Sequence, residues 1–574
     1  MLEVTSEYDS MNRIYQRLRQ RAALIDTGIA VAAGSLFPLG FAPLSFWPLS
    51  LIAIATLWCL LQRPTGQRHP FLIGWLFGLG TYGVGASWVF VSIYYFGNVP
   101  LLNASLATMA FVIVLALSTG LSTWGYQRLR PSWSHASSTL AWSAVVVHAG
   151  QFTACWVAVE WGRTWFLTGF PWLFMGYAGL DTAYAGFAPL FGVFGVSALM
   201  VFSASLIASA YWHQRQHAFA VFTVAAIWMA GLGLTFVNWT QANSDTNLTV
   251  YLLQGNIPQV QKRDPTYFDE HLKIYTDMTN ALWSATPEHA AQAHMVIWPE
   301  AAIPKLLHSA WDTYIDMDTK ARAANAAWIS GVPWAEYKSN ETIFQNGVLA
   351  AGIGSGFYVK QKLVPFGESL PFPSITHKLG PLFNLSRYGF TPGEADQRPL
   401  TAQGMQIAPF ICYEIVFPSL VRRQAAEADL LLTISNDGWF GQSFGPDQHF
   451  QMARMRALET GKMLLRVTNN GITAIIDEQG HVISRLKTFT RATLSGVAYS
   501  TTGQTPFMLL GSWPTLIVIL GILIAGIMTR VLHHYFKTNQ VPTTDQNWHT
   551  LSPHSEPSTL TQEPPYVCDA THPR

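Results

Sequence analysis

From Phe71 to Gln127 the chain carries no aspartate, glutamate, lysine or arginine. One bilayer crossing needs roughly 20 apolar residues, so this interval must hold more than one membrane span. Soluble domains carry about a quarter of their residues as charged side chains. Across the 574 residues here the charged fraction is 12%, against 50% hydrophobic. The apolar residues are unevenly spread: between about Asn243 and Gly503, acids, bases and short alternating runs return at the density of an aqueous domain.

Hydropathy predicts spans near 23–41, 45–62, 71–92, 101–125, 137–160, 187–210, 217–237 and 506–529, about eight helices in all. Basic loop residues test that count. Arg13 to Arg21, Arg63 with Arg68, Arg128 with Arg130, Arg215, and Arg530 with Lys537 fall on alternate connections. All therefore lie on one side, which the positive-inside rule makes the cytoplasm. The expected order is a cytoplasmic N-terminal segment (1–22), a membrane domain of seven spans (23–240), an aqueous domain facing the periplasm (241–504), an eighth span (505–530) and a disordered cytoplasmic tail (531–574). The first apolar run is too long for a cleaved signal and is read as a retained span. This predicts a multi-pass protein of a bacterial inner membrane.

A formal net charge of +1, no Lys/Arg stripe and no zinc-type Cys/His spacing argue against nucleic acid. No metal or cofactor is expected. Of the four cysteines, Cys59 and Cys155 fall in spans and Cys568 in the tail. Cys412 is the one thiol of the aqueous domain, which can therefore have no internal disulfide.

In that domain, β-type runs at 248–254, 295–298, 327–330, 406–411, 430–435, 464–468 and 472–477 alternate with helical patterns near 266–285 and 447–462, as in a layered α/β domain. Three such runs lead to a reactive group. Val296-Ile-Trp-Pro-Glu300 presents a carboxylate, Tyr358-Val-Lys360 an amine and Phe410-Ile-Cys412 a thiol. Strand ends are where α/β sheets present functional groups. Acyl transfer through a thiol needs a base for its proton and a cation or N–H donors for the oxyanion, roles that suit Glu300 and Lys360 beside Cys412. Taken singly, a turn glutamate, a solvated lysine and a buried cysteine are the commoner readings.

The set as a whole resembles the catalytic triad of the nitrilase, or carbon-nitrogen hydrolase, superfamily. Gln254-Gly-Asn-Ile-Pro-Gln259, Trp298-Pro-Glu300, Leu363-Val-Pro-Phe-Gly-Glu368, Ser435-Asn-Asp-Gly-Trp-Phe-Gly441 and Thr468-Asn-Asn-Gly-Ile472 are similar to motifs of the apolipoprotein N-acyltransferase family. So are Glu160-Trp-Gly-Arg163 and Thr168-Gly-Phe-Pro-Trp172 in the membrane part. The resemblance implies a polytopic α-helical membrane domain joined to an α-β-β-α sandwich, with Glu300, Lys360 and Cys412 catalytic and Glu368, Tyr413 and Glu414 around them. Arg263, after Lys262, and Asp447 depart from the family's pattern.

Phe366, Trp439-Phe440 and Phe170 to Trp172 are candidates for an apolar entrance, or equally for core and interfacial anchors. Glu160 and Arg163 are three residues apart and fit an ion pair on one helix face better than a headgroup contact. The implied reaction is ping-pong. Cys412 takes an acyl chain from a phospholipid, phosphatidylethanolamine by resemblance, and passes it to the α-amine of a diacylglyceryl cysteine on an apolipoprotein. A membrane-anchored amidase that transfers to water is the alternative, and a non-enzymatic scaffold is a second one, which the intact triad disfavours.

Overall fold

The computed structural model of the protein describes residues 2–130, 142–212, 217–262, 264–285, 292–338, 341–369 and 389–538. Among them, six helices are long and apolar enough to cross a bilayer: Gln16–Gly40, Leu101–Leu129, Trp142–Gly162, Ala183–Ala210, His217–Leu234 and Trp513–Leu532. Pro70–Gly85 and Trp88–Phe96 are together long and apolar enough for a further crossing but are bent by 51° at their junction, and Pro48–Gln62 is apolar but shorter. Each of the eight expected segments is thus helical, while length and composition alone support six crossings, or seven with the bent pair.

Two boundaries need correction. The last span starts at Trp513, because Thr505 caps a separate short helix, Pro506–Leu510, which Gly511 ends at φ +62°. The third span is broken and reaches Phe96. Arg263 and the tail beyond 538, with Cys568, lie outside the described residues.

The charge-free interval folds on glycine. A Cβ at Gly78 would come 2.8 Å from the Ala116 Cα, and one at Gly74 would come 2.7 Å from the Thr119 carbonyl. Helices Pro70–Gly85 and Leu101–Leu129 therefore approach backbone to backbone, as small residues allow in a membrane. Asp26, buried in the first span, is paired with Arg63 at 2.7 Å. A lone intramembrane carboxylate requires such a partner.

The aqueous domain has thirteen described strands: β1 (Thr240–Gln254), β2 (His294–Ile297), β3 (Ala326–Lys338), β4 (Glu341–Gly352), β5 (Gly354–Ser355), β6 (Phe357–Val359), β7 (Leu400–Ala402), β8 (Met405–Ile411), β9 (Leu430–Ser435), β10 (Leu464–Thr468), β11 (Ala474–Ile476), β12 (Val482–Arg485) and β13 (Ala492–Gly503). One sheet has the order β13-β1-β2-β3-β4-β6, the other β12-β11-β10-β9-β8-β7-β5. β1, β2 and β3 run parallel, as do β8, β9 and β10. These strands are apolar runs because both their faces are covered, and β9 is buried at every residue.

Val250, Leu252 and Ile297 of one sheet meet Ile407, Leu432 and Leu465 of the other in the central core. Outside the first sheet lie helices Phe268–Ala285 and Trp311–Ala323, packed on Trp298 and Trp328. Outside the second lie Pro418–Ala425 and Gly445–Thr460. This is the α-β-β-α sandwich.

The second sheet's helix layer also continues into the membrane domain. Val416, Phe417 and Met452 share one apolar cluster with Phe37, Trp156 and Trp172. Polar contacts tie the same seam: Trp172 Nε1 donates to Gln448 at 2.9 Å, and the Tyr413 hydroxyl donates to the Gly169 carbonyl at 2.8 Å. Helix Ala188–Trp212 breaks at Gly192, φ +66°, and the Val193 N–H freed there donates to Glu459 at 2.6 Å.

Candidate active site

Glu300 follows β2 and Lys360 follows β6, both in the first sheet, while Cys412 directly follows β8 of the second. The sandwich therefore brings one side chain pair from one sheet to the thiol of the other, at the carboxyl ends of β2 and β8. Lys360 Nζ lies 2.7 Å from Glu368 Oε1 and 3.3 Å from Glu300 Oε1. Asn346 on β4 donates to both carboxylates, at 2.8 Å to Glu300 and 3.3 Å to Glu368. The other Glu300 oxygen accepts the Asn436 backbone N–H at 2.9 Å. Glu300 and Lys360 are almost wholly buried, so the Glu300 carboxylate is held at both oxygens and the amine is fixed between two acids.

Burial works against the Lys360 ammonium, but the charges of Glu300, Glu368 and Cys412 outweigh it and raise its pKa above the ordinary lysine range. Burial pushes the Cys412 thiol well up, the Glu300 charge adds to this, and Lys360 opposes it. Cys412 therefore rests as a thiol, and reaction through its sulfur would need a base.

Cys412 sits at a sharp strand-to-helix elbow with φ +52°, a conformation that L-residues adopt at a cost. Two contacts hold the elbow. Glu414 accepts the Ile411 N–H at 2.8 Å, and His449 Nε2 donates to the Cys412 carbonyl at 3.1 Å. Burial, with the Arg466 charge, keeps His449 below its usual range. Its Nδ1 lies 3.1 Å from both the Asp437 carboxylate and the Arg466 guanidinium. Arg466 also pairs with buried Asp437 at 2.7 Å, which holds that carboxylate ionised against its burial.

Glu414 does not touch the Lys360 ammonium. Its Oε1 gathers the N–H groups of Gln361 (2.6 Å) and Lys362 (3.1 Å) and the Tyr358 hydroxyl (2.9 Å), so it fixes the backbone on both sides of Lys360. Burial lifts its carboxyl to about 7 despite these donors. Tyr413 and Trp439 face the membrane domain instead. The Tyr413 ring stacks on Trp172 with centroids 6.2 Å apart, and the Trp439 carbonyl accepts from Ser92 at 2.8 Å. Phe440 is buried against Trp88, while Phe366 is exposed.

The expected Glu160–Arg163 ion pair does not form. Glu160 instead accepts from Trp156 Nε1 at 2.9 Å and from the Met175 N–H at 2.8 Å. Arg163 donates to the Trp172 carbonyl at 3.1 Å and lies over the Phe174 ring at 4.9 Å. The Trp172 carbonyl and the Met175 N–H, at the end of the 163–175 turn, claim these two side chains. Through Trp172 and Gly169 that turn meets the catalytic domain.

Sequence reasoning passed over Asn346, His449, Asp437, Arg466 and Lys262. Lys262 Nζ donates to the Glu300 carbonyl at 3.0 Å, and burial draws its pKa down to about 8. Asn346 has no sequence signal. Asn436 and Asp437 lay in a quoted motif whose purpose the geometry supplies: Asn436 bonds to Gln259 at 2.7 Å, and Asn469 bonds to the Ile257 carbonyl at 2.7 Å. The motifs at 254–259, 435–441 and 468–472 thus form one amide-linked rim behind Glu300. Asp447 lies half-buried in the first turn of helix Gly445–Thr460.

Residues 33–206 match the family model of the apolipoprotein N-acyltransferase N-terminal domain, and residues 252–506 match that of carbon-nitrogen hydrolases. An apolipoprotein N-acyltransferase of Azotobacter vinelandii is 41% identical over 85% of this chain and 92% of its own length. One of Pseudomonas syringae pv. tomato is also 41% identical, over 86% of this chain and 94% of its own. A solved carbon-nitrogen hydrolase from Helicobacter pylori G27 aligns with 51% of this chain and 96% of its own at 12% identity and a TM-score of 0.33. With both halves of the chain matched and these relatives covered almost end to end, the protein is a membrane-embedded enzyme that belongs to the apolipoprotein N-acyltransferase family.

Proposed function

We propose that this chain acylates the N-terminal α-amine of diacylglyceryl-modified apolipoproteins, drawing the acyl group from a membrane phospholipid, phosphatidylethanolamine, through a thioester on Cys412. The observation that carries this reading is the Glu300–Lys360–Glu368 network set against a thiol elbow whose following helices are packed into the membrane domain. Extracting an acyl chain into water costs about 0.8 kcal/mol per CH2, so a site for lipid donors belongs at the bilayer surface. The relatives' name, apolipoprotein N-acyltransferase, supports this acceptor.

In the first half-reaction Glu300 takes the thiol proton as Sγ attacks the ester carbonyl. Lys360 and the backbone N–H after Cys412 stabilise the oxyanion. The C–O bond breaks, and Glu300 returns the proton to the leaving alcohol, which departs as lysophospholipid. In the second, the lipoprotein amine attacks the thioester and Glu300 accepts its proton. The C–S bond then breaks, the proton passes back to the thiolate, and the triacylated product leaves. Glu368 and Asn346 position the amine and the base. The alternate basic loops support a catalytic domain facing the periplasm, with both termini cytoplasmic.

The test is to incubate the purified protein with labelled phosphatidylethanolamine and a diacylated lipopeptide. Wild type should form a hydroxylamine-sensitive adduct and N-acylate the peptide, and Cys412→Ser should do neither. Acylation by Cys412→Ser would overturn the covalent route. Release of free fatty acid in place of peptide acylation would instead establish the amidase.

A further inference from the structure

At the membrane boundary remote from the catalytic domain, Arg68, His69, Arg128 and Arg530 surround a cavity of about 600 Å³. Helix Leu101–Leu129 begins just after Phe96, whose ring meets Trp439 of the catalytic domain, and Arg128 lies in its last turn. At about 1.5 Å per residue the helix places Arg128 roughly 40 Å away. Arg530 likewise lies far along helix Trp513–Thr538, which starts a few residues after Met508, where Arg422 of the catalytic domain is bonded. Arg68 ends a third helix, Pro64–Arg68.

Among the described residues, no aspartate or glutamate lines this cavity. Arg530 donates to the backbone carbonyl of Arg128, which brings its guanidinium to the end of helix Leu101–Leu129, and the Arg128 guanidinium lies 5.4 Å from the Trp124 ring. The positive-inside rule explains why basic residues occupy this side, but not why cations from separate helices converge on one hollow. Guanidinium forks match phosphate oxygens, and like charges held together gain from an anion between them. The wall is apolar below the cations, where Phe71 and Trp124 are more than a third exposed on the bilayer-facing surface.

We propose that this cavity binds the phosphate headgroup of an anionic phospholipid, with its acyl chains along Phe71 and Trp124. The apolar wall selects a lipid over a soluble phosphate. An ethanolamine headgroup would place an ammonium among four basic side chains with no carboxylate to receive it, so the site is distinct in chemistry from the donor site at Cys412.

Native mass spectrometry of the full chain in neutral detergent tests this, with phosphatidylglycerol, phosphatidylethanolamine or inorganic phosphate added. Phosphatidylglycerol should be retained at about tenfold lower concentration than phosphatidylethanolamine. The triple variant Arg68→Gln, Arg128→Gln, Arg530→Gln should lose that preference while its lipopeptide acylation in micelles stays within about twofold of wild type, which also reports that it is folded. If the triple variant does not fold, Arg68→Gln alone should reduce the preference about threefold. Equal retention of the two lipids, or a preference that survives the substitutions, would overturn the proposal. Displacement of bound lipid by equimolar phosphate would overturn it in favour of a soluble anion.

Discussion

Lys360 keeps its charge where burial alone would remove it, because Glu300 and Glu368 lie on either side of it. Its effect on Cys412 is opposite in sign to theirs: the acids and burial raise the thiol pKa, and the ammonium lowers it. The thiolate fraction is therefore small at neutral pH and grows as pH rises. Labelling of Cys412 by a small neutral haloacetamide should be slow at pH 7 and accelerate through pH 9. Lys360→Met should slow it at every pH, and Lys360→Arg should recover part of the rate; intact mass measured over time gives each rate. An unchanged rate in Lys360→Met would remove the electrostatic link. At this scale Glu300, Lys360 and Cys412 were legible because each stands at the end of an apolar run. His449 was not, since a histidine in mid-helix carries no mark of the carbonyl it reaches across the fold.

Among the elements, β9 and β10 fall on the sequence runs 430–435 and 464–468 because strands buried on both faces are unbroken apolar stretches. β4 and β13 escaped notice. β4 mixes Gln345 and Asn346 into its run, and β13 is rich in Ser, Thr and Gly. Long antiparallel pairing fixes both, β4 with β3 and β13 with β1, and neither partner is adjacent in composition. The bent span shows the same limit, since hydropathy sees apolar length and not direction. Here the glycines of the charge-free interval carry the packing. Gly78→Leu should force helices Pro70–Gly85 and Leu101–Leu129 apart and cost about 1–3 kcal/mol by overpacking. Thermal unfolding in detergent would read this as a lowered midpoint, whereas Gly83→Leu, with open space around its Cβ position, should leave it nearly unchanged.

For the whole molecule, the contact that matters is the seam between helix Gly445–Thr460 and the membrane bundle. Glu459 pairs with Arg456 at 2.9 Å, both fully buried, and accepts the Val193 N–H. Burial lifts the Glu459 carboxyl to about 7, and Arg456 opposes the rise. Glu459→Ala would strand a buried guanidinium and an orphaned amide, at a cost of about 3–5 kcal/mol. Limited proteolysis at the seam should then release the catalytic domain from a bundle that remains folded. A protease-resistant variant would show that apolar packing alone joins the two parts.

The sequence by itself determined the division into apolar spans and an aqueous α/β domain, because hydrophobic length and period are local properties. It also singled out Glu300, Lys360 and Cys412 as candidates, because strand ends are local too. Only the tertiary structure decided that Glu160 and Arg163 serve the turn at 163–175 and not each other, that Asn346 bridges two acids, and that His449 holds the elbow of Cys412. Those outcomes depend on which buried donors and acceptors meet after the sheets and helices pack. Pairing between residues far apart in the chain leaves no trace in the spacing of either one.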